Sequence, residues 1–200
     1  MPKTLTVGIV LAAGASSRMG EAKQLLELQG QPMVARMCCL ARDAGFDAVL
    51  TVTGARQEAV EAALPDFVRA VHNPDWQSGM GSSVSAGLSY ALQCFPNLQL
   101  AGFILTDQPF LTASLLQKML RQLQQSTAPG IAARYQRGLG VPALFRPALF
   151  PELLALSGQK GAKPLLVKYQ SELLGLPFPK GDFDLDYPED WTRFLDQWRP

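Results

Sequence analysis

Hydrophobic residues along this chain alternate between short continuous runs and stretches in which they recur every three or four positions. The runs predict buried strands, and the recurring spacing predicts helices that cover them. The predicted strands are 7–11, 48–53, 68–71, 103–105, 131–133 and 142–145. The predicted helices are 33–44, 55–64, 82–91, a helix that Thr112 caps and that ends before Ser126, 148–156, 165–169 and 188–197.

The alternation of strand and helix is typical of repeated β-α-β units. We therefore predict an α/β protein with a three-layer, Rossmann-like architecture and a mostly parallel central sheet. The alternation becomes less regular after Gly138, and we expect this region to fold back over the sheet edge. Internal repeats and long linkers are absent from the sequence, so residues 1–200 are predicted to form a single domain.

Composition supports a compact enzyme-sized domain rather than a polymer-binding protein. The chain has 200 residues, of which 48% are hydrophobic and 18% charged, and its net charge is +1. A nucleic-acid surface would need a clustered basic face, and neither a signal peptide nor a membrane-spanning run is present. We expect a cytoplasmic protein with neither nucleic acid nor membrane as a partner.

The cysteines and the single histidine do not suggest a metal centre. Cys38, Cys39 and Cys94 lack the paired spacing of a zinc site, and His72 cannot complete one. Cys38 and Cys39 fall on a predicted helix, where a free cysteine commonly packs as a small hydrophobic residue. We interpret His72 as structural.

The loop after the first strand carries the strongest chemical signal. Small residues 12–17 allow backbone N–H groups to approach an anion, and Arg18 and Lys23 add two cations. The spacing of Gly14, Gly20 and Lys23 fits neither a Walker loop nor a dinucleotide fingerprint. The loop is predicted to bind the phosphates of a nucleoside triphosphate.

Two acidic segments are candidates for binding a divalent cation. Asp107 ends the strand before Gln108-Pro109, and a carboxylate there could hold Mg²⁺ against phosphate oxygens. It could also close an Asx turn, although the metal interpretation is the better one beside a phosphate loop. Asp184 and Asp186 would share one face of an extended segment. For Asp186, a helix-capping role and a metal-binding role stay equally open.

The segment from Ser78 to Ser83 is the fourth candidate. Gly79 and Gly81 would permit close backbone approach to a base or sugar, and the serines could hydrogen-bond it. Taken alone, the segment is also an ordinary helix start.

Together these motifs resemble the molybdenum cofactor nucleotidyltransferase family over nearly the whole chain. The resemblance is carried by Leu-Ala-Ala-Gly at 11–14, Arg-Met-Gly at 18–20, Lys23, Gly-Met-Gly-Ser-Ser at 79–83, Thr-Asp-Gln-Pro-Phe at 106–110, and Asp-Leu-Asp-Tyr-Pro-Glu-Asp at 184–190. Ala-Ala-Gly at 12–14 is similar to the cytidylyltransferase branch. The chain departs from the family pattern at Leu139, Gln159, Lys163 and Tyr187, mostly in the acceptor half.

The resemblance implies transfer of CMP from CTP to molybdopterin carrying molybdenum, with Mg²⁺ or Mn²⁺, and transient contact with a molybdoenzyme or its chaperone. It implies nucleotide binding up to about residue 110 and acceptor binding with sheet completion beyond it. The implied catalytic residues are Arg18, Lys23 and Asp107, and the implied metal ligands are Asp107, Asp184 and Asp186. The implied nucleotide-binding residues are Leu11, Ala12, Ala13, Gly14, Arg18, Lys23, Ser78, Gly79, Gly81 and Ser82. The implied acceptor-binding residues are Gly140, Pro142, Gly161 and Lys163.

Three alternatives stay open. The enzyme could cytidylylate another phosphorylated small molecule, such as a methylerythritol phosphate, or it could transfer GMP. The chain could also be a non-catalytic nucleotide-binding module. Such a module should have lost Arg18, Lys23 or Asp107, and all three are present.

Overall fold

The structure, a computed structural model, describes residues 4–198. The strands are β1 (Thr6–Leu11), β2 (Glu27–Leu28), β3 (Gln31–Pro32), β4 (Ala48–Thr53), β5 (Val68–His72), β6 (Leu100–Leu105), β7 (Gly130–Tyr135), β8 (Gly138–Phe145) and β9 (Leu174–Pro177). The α-helices are α1 (Met33–Ala44), α2 (Gln57–Ala62), α3 (Met80–Cys94), α4 (Ala113–Gln124), α5 (Phe150–Leu154), α6 (Lys163–Lys168) and α7 (Pro188–Gln197). Single 3₁₀ turns occupy Lys23–Leu25, Trp76–Ser78 and Pro147–Leu149.

The central sheet has the strand order β5-β4-β1-β6-β8-β7-β9, and β2 pairs with β3 in a small separate hairpin. Only β8 runs antiparallel to its neighbours in the central sheet, so the predicted mostly parallel sheet is confirmed. Leu11 and Leu105 face each other at the carboxyl ends of β1 and β6. The phosphate loop and the Asp107 loop therefore leave the sheet side by side.

The expectation for the region after Gly138 was wrong. This region does not fold over the sheet edge: β8 lies inside the sheet between β6 and β7, and β9 extends it beyond β7. The sequence analysis predicted the buried end of β8 but missed the whole of β9. β9 is short, half-exposed and contains Gly175 and Pro177, so it shows no hydrophobic alternation.

Helices cover both faces of the sheet. Helices α1 and α4 pack with Phe194 of α7 on one face, while α3, α5 and α6 pack on the other. The bounds predicted for the first and last helices are confirmed, and Leu115 N donates to Thr112 Oγ1 at the predicted cap of α4. Burial raises the pKa of Cys38 to about 12, in keeping with its interpretation as a packing residue. None of the helices within residues 4–198 is long and apolar enough to cross a membrane.

Candidate active site

A buried glutamine shapes the phosphate loop from within. Gln24 is 1% exposed. Its Nε2 donates to the carbonyls of Gly14 at 2.7 Å and Ala12 at 3.3 Å, and its Oε1 accepts from Ser16 Oγ at 3.1 Å. These bonds fix the path of the loop before any ligand arrives. The sequence analysis missed Gln24, whose only signal was its place beside Lys23.

The two loop cations lie against acidic side chains of other loops. Lys23 Nζ is 2.6 Å from Asp107 Oδ2 and 3.6 Å from Asp186 Oδ1, and Arg18 Nη1 is 3.2 Å from Asp186 Oδ2. Burial lowers the pKa of Lys23, but Asp107 and then Asp186 raise it, and the net pKa is raised. Lys23 is therefore a fixed cation in a partly buried site.

The segment containing Asp184 and Asp186 is attached directly to the Asp107 loop. Leu185 N donates to the carbonyl of Asp107 at 3.0 Å, and the Leu185 side chain is buried in the core. Asp184 and Asp186 flank Leu185 in the sequence, and both carboxylates lie near Lys23 rather than in the core. Burial and the charge of Asp107 together raise the pKa of Asp184 from its ordinary 3.8 to about 7.

The carboxylate of Asp186 does not cap α7, because another side chain accepts the bonds at the start of that helix. The cap of α7 is provided by Asp190, whose Oδ2 accepts from Tyr187 N at 2.8 Å and Asp186 N at 3.1 Å. The carboxylate of Asp186 instead contacts Arg18 and Lys23. It is left available to the site rather than to the helix.

The carboxylates fit a divalent cation that arrives together with phosphate. Oδ1 of Asp107 is buried without a hydrogen-bond partner, and Oδ2 binds Lys23, so Asp107 does not close an Asx turn. Among residues 4–198, no three His, Cys, Asp or Glu side chains form a group able to hold a metal by themselves. Mg²⁺ commonly takes one or two carboxylates and completes its shell with phosphate and water. Asp107 with Asp184 or Asp186 matches that requirement.

A first cavity of about 480 Å³ opens above these loops. Seven of the predicted nucleotide-binding and catalytic residues line it: Leu11, Ala13, Gly14, Arg18, Lys23, Gly79 and Asp107. Ala12, Ser78, Gly81 and Ser82 are not among its lining residues. Met80 and Ser83, from the predicted segment 78–83, also line it, whereas the sequence analysis did not place Trp76, Gln77 or Gln159 at the nucleotide.

The residues that do not line the cavity serve the loop itself. Ser78 Oγ and Ser82 Oγ both donate to the carbonyl of Asp75, at 2.8 and 3.0 Å. Gly81 N donates to the carbonyl of Gly158 at 2.9 Å. A Cβ on Gly81 would lie 2.6 Å from the carbonyl carbon of Ser157, so this glycine permits close contact with another loop, and its predicted approach to a base or sugar stays a prediction.

A second cavity of about 370 Å³ adjoins the first, and Met80 and Leu105 line both. Of the predicted acceptor-binding residues, Gly140 and Lys163 line it, while Pro142 and Gly161 do not. Arg137 and Lys160 add two cations that the sequence analysis did not identify. Asp184 lies at its wall, which places the acidic cluster between the two cavities.

Gln108 organises the second cavity as Gln24 organises the first. It is 3% exposed. Its Nε2 lies 2.8 Å from Tyr135 Oη and 3.0 Å from the carbonyls of Val141 and Gly181. Because Gln108 directly follows Asp107, these bonds connect the Asp107 loop to β7, to β8 and to the loop before Asp184.

Cations that can hold a polyphosphate and carboxylates that can take a divalent ion lie side by side, with a substrate-sized space on each side. This is the arrangement of an enzyme that transfers a nucleotidyl group. A family model for the MobA-like NTP transferase domain matches residues 8–173, and the chain belongs to that family.

Several relatives cover most of the chain. It is 28% identical over 197 residues to the molybdenum cofactor guanylyltransferase of Rhodobacter capsulatus, with 96% of each protein covered. It is 34% identical over 167 residues to the nicotine blue oxidoreductase of Paenarthrobacter nicotinovorans, with 80% of each covered. These two names refer to different reactions.

Solved structures show the same fold. Rv0371c from Mycobacterium tuberculosis H37Rv matches with a TM-score of 0.81 and 28% identity, over 96% of this chain and 98% of that one. A structure of Rv0371C in complex with manganese matches with a TM-score of 0.78 and 28% identity, over 98% of this chain and 100% of that one.

Proposed function

We propose that this enzyme transfers CMP from CTP to the terminal phosphate of molybdopterin carrying molybdenum, with release of pyrophosphate. The observation that carries the proposal is the placement of the acidic cluster between two cavities that share Met80 and Leu105. A nucleotide in the first cavity and an acceptor in the second would meet at Asp107 and Asp184. The relatives named molybdenum cofactor guanylyltransferase support this acceptor class.

In this proposal the first half of the chain binds the nucleotide. Arg18 and Lys23 bind the triphosphate, and the backbone of Ala13 and Gly14 approaches its oxygens. Asp107, with Asp184 or Asp186, holds Mg²⁺, with Mn²⁺ as the alternative ion. The structure of Rv0371C in complex with manganese supports the use of a divalent cation. Such an ion, when bound, neutralises charge that develops on the transferring phosphate.

The second half of the chain binds the acceptor. Arg137, Lys160 and Lys163 line the second cavity and suit a phosphate group, while Leu139 and Val141 provide apolar surface for a ring system. An acceptor phosphate is already an anion, so its oxygen can attack the α-phosphorus without a general base. The bond from the α-phosphorus to the bridging oxygen then breaks, and pyrophosphate leaves. Catalysis is by positioning and electrostatics.

The choice of CTP over GTP is the finer part of the proposal. It is supported by the sequence Ala12-Ala13-Gly14, which resembles the cytidylyl branch. Transfer of GMP is the second candidate, because several of the relatives are named as guanylyltransferases.

Pyrophosphate release tests the proposal directly. The purified enzyme is mixed with CTP or GTP, with Mg²⁺ or Mn²⁺, and with molybdenum-bearing molybdopterin or methylerythritol phosphate. We expect pyrophosphate with CTP, metal and the molybdopterin, and release several hundredfold slower or more when Asp107→Asn replaces the wild type. Faster release with GTP would establish the guanylyl alternative. Release with methylerythritol phosphate but not with the molybdopterin would overturn the proposed acceptor. The absence of release with every combination of nucleotide and acceptor would overturn the proposal.

A further inference from the structure

We infer that Gln159 is a specificity residue that contacts the base or ribose of the bound nucleotide. It comes from the part of the chain expected to bind mainly the acceptor, at a position where the sequence departs from the family pattern. This inference rests on the proposed nucleotide site, and it adds to that site a residue that the sequence analysis placed on the acceptor side. The observations are a backbone contact between two loops, the lining of the two cavities and the chemistry of the amide.

A close glycine contact brings Gln159 to the nucleotide cavity. The segment 157–163 crosses the start of α3, and Gly81 N donates to the carbonyl of Gly158 at 2.9 Å. A Cβ on Gly79 would lie 2.5 Å from the carbonyl carbon of Gly158 and 2.7 Å from Gln159 N. A side chain at either glycine would therefore push this segment away. The lack of a side chain at Gly79 and Gly81 allows this contact, and the contact fixes the position of the Gln159 backbone.

The same segment contributes to both cavities. Gln159 lines the first cavity, whereas Lys160 and Lys163 line the second. Met80 lies between the cavities, and a Cβ on Gly161 would lie 2.8 Å from Met80 Sδ. The segment thus passes around Met80 and places a neutral amide on the nucleotide side and cations on the acceptor side.

The position and chemistry of Gln159 point to the nucleoside rather than to the triphosphate. Its backbone lies against Gly79 at the start of α3, while the cations of the cavity, Arg18 and Lys23, belong to the loop after β1. The Gln159 side chain is exposed, and it makes no hydrogen bond within residues 4–198. An amide offers both a donor and an acceptor, which suits a base edge or ribose hydroxyls better than a polyanion.

Binding measurements on the full chain test the inference. Calorimetry in Mg²⁺ would compare CTP, GTP and inorganic tripolyphosphate for the wild type, Gln159→Ala and Gln170→Ala. Gln170 is an exposed glutamine just after α6 and serves as the matched control. We expect Gln159→Ala to weaken the preferred nucleotide about tenfold, the order of one or two lost hydrogen bonds, and to leave tripolyphosphate within twofold. Gln170→Ala should match the wild type for all three ligands.

A second variant tests the route by which Gln159 is placed. Gly81→Ala keeps the glutamine but should displace the backbone of the segment at Ser157, so it should reproduce the loss of nucleotide affinity together with a lower thermal unfolding temperature, whereas Gln159→Ala, at an exposed side chain, should unfold normally. Unchanged nucleotide binding by Gln159→Ala, or an equal loss for tripolyphosphate, would overturn the inference while leaving the proposed function standing. A wild type that binds neither CTP nor GTP would overturn the proposed function and this inference with it.

Discussion

Lys23 Nζ lies 2.6 Å from Oδ2 of Asp107 and so joins the loop after β1 to the loop after β6. The proposal gives these two groups different ligands, the triphosphate for Lys23 and the divalent cation for Asp107. Both groups must therefore exchange partners when a metal–nucleotide complex binds. Because the exchange is mutual, removing one partner should change the binding of both ligands.

Asp107→Asn keeps the shape of the side chain and removes its charge. We expect turnover to fall several hundredfold or more, because the metal loses its anionic ligand at the reacting centre. Affinity for the nucleotide in EDTA should rise, because Lys23 no longer has to leave a carboxylate. Initial rates across a Mg²⁺ titration and calorimetry in EDTA would measure the two effects.

Asp43→Asn is the matched control for this prediction, since Asp43 is exposed at the end of α1 and forms its ion pair with the neighbouring Arg42, far from the site. It should leave the rate and both affinities unchanged. Near-normal activity of Asp107→Asn at saturating Mg²⁺ would contradict the metal assignment.

Lys23→Ala and Arg18→Ala should both weaken CTP binding, but only Lys23→Ala should destabilise the fold. The Lys23 side chain is 17% exposed and separates Asp107 from Asp186, whereas the Arg18 side chain is 63% exposed. Without Lys23, Asp107 loses its ion pair in a partly buried site, whereas Asp186 keeps its ion pair with Arg18. Urea unfolding at pH 8 would show a lower midpoint for Lys23→Ala alone, and the deficit should shrink at pH 5, because the neighbouring Asp184, whose pKa is raised to about 7, is then protonated and adds less negative charge to the cluster. If Lys23→Ala lost acceptor binding but kept its affinity for CTP, Lys23 would bind the acceptor rather than the triphosphate.

The sequence predicted those parts of the site that have a local pattern. The strand 7–11 and its small-residue loop could be read because a parallel strand must end in a loop at the ligand-binding edge. Asp107, Asp184 and Asp186 were identifiable for the same reason, since each lies in a polar segment beside a predicted element. The structure brings all three to Lys23.

What could not be predicted depends on contacts distant in sequence. Gln24 and Gln108 hold loops through backbone carbonyls, and a glutamine carries no local mark of such a role. The sequence analysis assigned Gly81 to the nucleotide. Nothing in the sequence indicates that Ser157 lies against this glycine in the fold. Likewise β9 becomes a strand only because β7 offers it an edge.

Asp184 should make the metal-free protein less stable as the pH rises. Its pKa is about 7 in the folded state, raised by burial and by Asp107 from an ordinary 3.8. Between these values the folded state holds a proton that the unfolded chain has released, so the free energy of unfolding falls as pH rises through this window. Urea unfolding in EDTA at pH 5 and pH 8 would measure the decline. Asp184→Asn should flatten it, and Mg²⁺ with CTP should restore stability to the wild type at pH 8.

Asp184 lies in a cluster of carboxylates, so the comparison with Asp184→Asn is needed to separate its contribution to the pH dependence from that of its neighbours. Asp182→Asn, two residues away and on the second cavity, should make the decline only slightly shallower, because the charge of Asp182 is the smallest of those that raise the pKa of Asp184. An equally steep decline in Asp184→Asn would contradict the raised pKa.

Ala13→Gly should admit more GTP without reversing a preference for CTP. Ala13 lines the nucleotide cavity and is 5% exposed, and a Cβ on Gly54 would lie only 2.9 Å from its methyl group, so space beside it is limited. A purine needs more room than a pyrimidine, and removing one methyl group changes such discrimination by several-fold at most. Initial rates with CTP and GTP at matched concentrations would give the ratio, with Ala15→Gly as the control for a more flexible loop. Equal use of both nucleotides by the wild type would remove the basis for assigning a cytidylyl activity.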